Sequence, residues 1–428
     1  MKKLLSAILA MLIIVSAVPI CASAQGRITL TDVRAAVSLI VQGEYNEKYD
    51  VDNSGNLTLA DIRMMIAEIA ARDNTANANY SSFSANMIKN SYSIDKNTVF
   101  SPVSIAYLLG LIGSGADSET SKSIAALLGE KSLDIVNTTL GKYALQNSSA
   151  TGADYNIVAN SVWSKGLVNT GYRSIVNDTY KADIYENGID ADAVNAWIDQ
   201  KTNGIIPKAI NSLPADTDIL LVNTVAFNSR WFDKFASEDI TEGDFNCADG
   251  SVRTVSMLSS TETTMVNTAN AVGFEKPYID KRYSFIAVLP KEGDLQNYLN
   301  SFDGTELQNI LNGREKKNVN ITLPEFEAES DYNLNSVFDK MGSGSILENA
   351  DLSAIAPNGG TVSAGHVAKI SVGENGTKAA AASFAAVHTK PYSKENVIFD
   401  KPFMYIVYDN QYQMPLFIGT VNSCGVVK

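Results

Sequence analysis

Residues 373–387 read GENGTKAAAASFAAV, from Gly373 to Val387, and the reading of this stretch decides the reading of the whole chain. Alanine favours helix, yet the run is approached through Gly373 and Gly376 and carries a β-branched Thr377. It then leads into Thr389, Lys390 and Pro391, which read as an exposed turn. As a strand it places Thr377, Ala379, Ala381 and Ser383 on one face and Lys378, Ala380, Ala382 and Phe384 on the other. The first face is uniformly small, so such a segment slips between two packed strands without overfilling the core.

The ends and the composition narrow the class. Lys2 and Lys3 precede an apolar run from Leu4 to Ile20, and Ala22, Ser23 and Ala24 form a small-residue cleavage site, the pattern of a secretory signal peptide over 1–24. Ile20 before Cys21 is bulkier than a lipoprotein site takes, and no later segment is apolar enough to cross a bilayer. Removing the signal takes two lysines and no acid, which moves the formal net charge from −13 to −15. Nucleic acid and anionic membranes are therefore not expected as partners, and the protein is expected outside the cell. Cys247 and Cys424 remain in the mature chain, enough for one disulfide that nothing in the spacing requires and too few for a cysteine metal cluster.

Residues 26–40, GRITLTDVRAAVSLI, return as residues 55–69, GNLTLADIRMMIAEI, with six identities in fifteen at a period of 29. The second copy closes a twelve-residue loop, DVDNSGNLTLAD. Asp50, Asp52 and Ser54 hold its first, third and fifth positions, Gly55 the sharp turn, Asn56 the seventh and Asp61 the twelfth. This is an oxygen set for calcium. The module over 25–71 resembles a dockerin, the duplicated half-EF-hand that plugs into cohesin domains of cellulosome scaffolds, and the resemblance implies a small all-α calcium-binding module with a cohesin partner. The first copy departs from the pattern, because Cys21, Ser23 and Gln25 hold its early ligand positions and most of that stretch leaves with the signal, so one calcium is expected. Residues 72–79 are small, polar and without apolar period, and read as a linker.

From 80 to 428 helical patterns and strongly β segments mix without regular alternation, which predicts an α+β domain. Nine motifs in order resemble the serpin family: NTVFSPVSI from Asn97, GADSET from Gly115, ANSVW from Ala159, VNAWIDQKTNGII from Val194, LVNTVAFNSRWFDKF from Leu221, FIAVLP from Phe285, LPEF from Leu323, ADLSAI from Ala350 and VIFDKPFMYIVYD from Val397. The resemblance implies three β-sheets with about nine helices and an exposed reactive loop. It also implies a suicide-type inhibitor that forms a covalent complex with a target serine or cysteine protease. In that pattern the hinge comprises Glu374, Gly376, Thr377 and Ala379, Ala380, Ala381 and Ala382. Ser101, Ser104, Asn223 and His366 would meet behind the central sheet, with Trp231 at its opening.

Counting from Gly376 puts the scissile bond after Lys390, before Pro391, while counting back from Phe399 gives a bond one residue later; Thr389–Lys390 and His388–Thr389 stay open. Lys378 replaces the family's usual hinge glutamate, but it and Phe384 fall on the outward face. Catalysis by the chain itself is not expected. Its two histidines are His366, in a strand-like segment, and His388, in the loop, and no G-x-S-x-G, P-loop or H-E-x-x-H motif is present.

Overall fold

The computed structural model describes residues 30–51, 54–59, 61, 62, 65, 80–147, 154–213, 217–344, 346, 351–355, 361–363, 365–377 and 393–425. The signal segment, the linker 72–79, Asp52, Ala379–Ala382 and His388–Pro391 lie outside these residues, and His366 is described by its backbone alone. The chain divides into two compact units, Met1–Ala76 and Asn77–Lys428. Among the described residues no helix is long and apolar enough to cross a membrane.

In the first unit the helix Leu30–Gln42 ends at Gly43, whose φ of 72° suits the turn that follows. Val33 and Ala36 of that helix bury against Ile62 and Met65 of the second copy, with Val37, Ile40, Tyr49, Val51 and Leu57 around them. Residues three and four apart on the first helix thus meet their duplicates, which is what a repeated apolar stripe is for.

The second unit is α+β, with three β-sheets and about ten helices. One seven-stranded sheet is centred on the C-terminal hairpin of Phe403–Asp409 and Met414–Val421, in which every residue is buried. Tyr283–Pro290, equally buried, pairs antiparallel with Phe403–Asp409 and forms the sheet's middle. A four-stranded sheet runs Asn396–Ile398, Val319–Pro324, Val252–Glu262, Ile240–Asn246. Cys247 and Cys424 are buried free thiols, and burial pushes the Cys424 thiol up to about 12.

The third sheet is the central one. Its longest strand, Thr217–Arg230, pairs antiparallel with Tyr155–Ser164 over ten residues, and both read as near-continuous apolar runs because both faces are covered. On one face Val194, Trp197 and Ile198 of the helix Ala191–Lys201 pack onto Leu220, Val222 and Ala226. On the other, Leu221, Val225 and Phe227 join the main core, where the helix Pro102–Gly115 runs against the long strand. That helix is buried almost all round, and its start is set by sequence: Ser101 is the N-cap, its hydroxyl accepting from the Ser104 amide at 3.2 Å, and Pro102 is the first helical residue.

Candidate functional site

The central sheet is joined differently at its two ends. At one end Thr361–Ser363 pairs parallel with the long strand, Val362 opposite Ile219 and Ser363 opposite Leu220. At the other end the chain of Gly365–Gly373, which pairs along Phe326–Asn333, reverses at Glu374 and Asn375 and returns as the two-residue strand Gly376–Thr377. This short strand is antiparallel to both neighbours: Gly376 stands opposite Gly373 and Arg230, Thr377 opposite Val372 and Ser229. Between the two ends, among the described residues, Leu221–Phe227 has a strand partner only on the Tyr155–Ser164 side.

Gly376 is a glycine for two reasons. Its φ is +154°, and a Cβ on it would meet the Ser229 carbonyl oxygen at 2.2 Å. Only a bare backbone passes this close to the long strand. Thr377 follows and is buried, its hydroxyl sharing a 2.5 Å hydrogen bond with that of Tyr278. Burial raises the Tyr278 phenol well above its ordinary pKa, so it stays a neutral hydroxyl.

Trp231 and Phe235 hold the turn. The Trp231 amide donates to the Asn375 carbonyl at 3.0 Å and the Phe235 amide to the Glu374 carbonyl at 3.2 Å. The Trp231 indole Nε1 donates to the Gly373 carbonyl at 2.9 Å, while its ring stacks on Tyr278 with centroids 4.6 Å apart. The Glu374 carboxylate accepts from Ser237 at 3.4 Å and lies 3.9 Å from the Lys234 ammonium. Beneath these rings lies a buried ion pair, Lys276 Nζ to Glu262 Oε1 at 2.6 Å, with the ammonium 4.3 Å from the Phe235 ring centroid.

Further along the long strand, Asn223 turns sideways. Its Nδ2 donates to Asn160 Oδ1 at 2.7 Å and to the Ala159 carbonyl at 3.3 Å. Its Oδ1 is buried with no hydrogen-bond partner, as are the hydroxyls of Thr217, Thr224 and Ser229 on the same strand. Buried polar groups are normally satisfied, and two of these, Asn223 and Thr224, fall where the long strand has, among the described residues, a strand partner on one side only. His366 pairs with Tyr332 in the ladder beyond the gap. Two residues of the site escaped the sequence reading. Tyr278 had no local signal, being far from Thr377 in the chain, and Asn160 sat inside the ANSVW motif without a stated role. The outward face also differs from expectation at Val222 and Ala226, where the helix Ala191–Lys201 takes the place of water.

The twelve-residue loop of the first unit wraps its acids in backbone donors. Asp50 accepts from the amides of Ser54 and Gly55 at 3.0 and 2.8 Å and from the Tyr45 hydroxyl at 2.9 Å. Asp61 accepts from Val51 at 2.9 Å and from the Thr58 amide at 2.8 Å, a capping arrangement at the start of the second copy's helix. Gly55, at φ +81°, makes the sharp turn. Both carboxylates are buried in one short loop, and the Asp61 oxygen that takes the Thr58 amide also accepts from the Thr58 hydroxyl at 3.1 Å. Asp50, Ser54, Asn56 and Asp61 are the described members of the oxygen set read from the sequence, and Asp52 lies outside the described residues. Among the described residues no three acidic, cysteine or histidine side chains gather into a metal-binding group.

A three-sheet domain whose central sheet opens around a two-residue hinge has the architecture of a serpin. A family profile described as Serpin (serine protease inhibitor) matches residues 78–424, and the chain belongs to the serpin family. It is 28% identical to an uncharacterised serpin-like protein of Thermococcus kodakarensis, over 79% of this chain and 83% of that one. It is 27% identical to alpha-1-antiproteinase of Ovis aries, over 76% and 82%. Among solved structures, the native state of the thermophilic serpin tengpin superposes with a TM-score of 0.74 at 29% identity, covering 81% of this chain and 94% of that one. Its latent state gives 0.69 at 28%, covering 82% and 98%.

Proposed function

We propose that the large unit is a suicide inhibitor of serine or cysteine endopeptidases that traps its target by drawing the cut reactive loop into the central sheet. The observation that carries this reading is the strand Gly376–Thr377, paired with both neighbours and followed by small residues. Continuing its register sets Ser383 opposite both Asn223 and His366, and Ala386 opposite both Leu220 and Ser363. An inserted loop would therefore bring a hydroxyl to the orphaned Asn223 oxygen. It would also part Leu220 from Ser363, which now pair with each other.

In the covalent step the protease's serine or cysteine attacks the carbonyl before the scissile bond within His388–Pro391. An ester or thioester forms, the amine of the next residue leaves as a new chain end, and insertion outruns hydrolysis by water. The chain's own part is to supply the strand and the sheet, so it is not itself an enzyme. Incubation with subtilisin-, elastase-, trypsin- and papain-like proteases tests the reading. A detergent-stable adduct seen by mass spectrometry also identifies the cut bond, and a cut loop with fully active protease would instead favour a non-inhibitory binding or chaperone role.

The first unit is proposed to bind calcium through Asp50, Asp52, Ser54, Asn56 and Asp61 and to anchor a secreted inhibitor on a cohesin-bearing scaffold. The support is the duplicated sequence and the two buried carboxylates of one loop. When bound, calcium supplies the positive charge that two buried carboxylates lack, while the chain's residues shape the loop around it. Asp50→Ala with Asp52→Ala is expected to abolish cohesin capture and leave inhibition unchanged. Equal capture in chelator would sink the anchoring role.

A further inference from the structure

The 29-residue repeat maps Asp61 of the second loop onto Asp32 of the first. The two acids meet different surroundings. Asp61 is fully buried among backbone donors, whereas Asp32 Oδ1 lies 2.6 Å from the ammonium of Lys48. Lys48 is exposed, but its place in the chain is fixed. It sits in the middle of the 3₁₀ turn Glu47–Tyr49, whose N-cap Asn46 accepts from the Lys48 amide at 3.0 Å. Its ammonium lies 4.9 Å over the Tyr49 ring and 3.4 Å from the Tyr49 hydroxyl, and Tyr49 in turn packs on the unit's small core. The residue one repeat after Lys48 is Asn77, which has no cation to offer the second loop.

We propose that Lys48 is the fixed cation of the degenerate first loop: its ammonium takes, from within the chain, the charge-balancing place at Asp32 that a metal takes in an intact copy. The connector between the copies then serves both, giving Lys48 to Asp32 and the Tyr45 hydroxyl to Asp50. Rescue of a lost ligand set by an internal ammonium keeps the first helix docked without a second ion. This rests on the calcium reading of the second loop only for the ion count, and the Lys48–Asp32 link is tested separately.

The test uses the mature full chain and three variants, Lys48→Met, Asp32→Asn and the double substitution. Calorimetric titration with calcium chloride is expected to give one ion per chain in all four. Hydrogen exchange across Leu30–Gln42 in chelator is expected to speed several-fold in each single variant, with the double variant no faster than the faster single. Exchange rates that multiply in the double variant, or a calcium count that falls from two to one in Asp32→Asn, would overturn the proposal. No calcium uptake by the parent, with the non-multiplying exchange pattern intact, would overturn the calcium reading and leave the internal cation standing.

Discussion

The hydroxyls of Tyr278 and Thr377 stand 2.5 Å apart although 99 residues separate them in the chain. Tyr278 also carries Trp231 on its ring and, through Trp231, the turn that aims the hinge. Removing one oxygen therefore isolates the hinge contact from the stack.

Tyr278→Phe is expected to keep the fold and lose the grip on Thr377. The lost bond is worth about 1 kcal/mol. Hydrogen exchange at the Gly376 and Thr377 amides is expected to rise roughly five-fold, with more inhibitor consumed per protease inactivated. Unchanged exchange and stoichiometry would remove Tyr278 from the mechanism.

Thr377→Arg places a guanidinium where a buried hydroxyl sits. An uncompensated buried charge costs several kcal/mol, on the order of 3–5. Insertion is expected to lag behind hydrolysis, turning inhibitor into substrate, as the ratio of inhibitor cut to protease trapped will report. Inhibition equal to the parent's would mean that Thr377 need not keep its place beside Ser229 for the rest of the loop to follow.

The Lys276–Glu262 pair gives a stability prediction. Lys276→Met leaves the Glu262 carboxylate buried without its counterion and is expected to cost about 3–5 kcal/mol, read by denaturant unfolding. The double variant with Glu262→Leu is expected to recover most of that loss, since two apolar groups leave nothing unpaired. A double variant as weak as the single would place the loss in packing around Phe235.

Asp117 gives a pH prediction. It caps the helix Ser118–Leu127, and hydrogen bonds from the Thr120 amide and hydroxyl and the Glu119 amide lower its pKa from 3.8 to about 2. A carboxyl depressed on folding contributes stability that is complete above its unfolded value and is lost as pH falls through its folded one. Asp117→Ala is expected to melt lower than the parent at neutral pH, with the gap closing between about pH 4 and pH 2. A gap that persists below about pH 2 would assign the effect to something other than the carboxylate.

Much of the fold was legible because its signals are local. SPVSI states a cap, a first-turn proline and a buried helix, and VIFDKPFMYIVYD contains the buried strand Phe403–Asp409 of the C-terminal hairpin. What could not be read were meetings between distant segments. Nothing near Tyr278 points to Thr377, nothing in ANSVW says that Asn160 holds Asn223, and no strand periodicity reveals that Ala191–Lys201 covers the face at Val222. The alternation of a strand tells two faces apart without telling which is wet, and the long strand here is covered on both between Leu220 and Phe227.

The parallel pairing of Thr361–Ser363 with the long strand has a consequence for direction. A segment continuing from Thr377 runs antiparallel to both neighbours, so each rung of that parallel ladder it displaces is replaced by two antiparallel rungs. Antiparallel pairing is also slightly the more stable per residue. Under the insertion proposed above, the sheet works as a ratchet. Each tooth passed makes the backward step harder than the forward one, and Gly376, already through, is the tooth that sets the sense of travel.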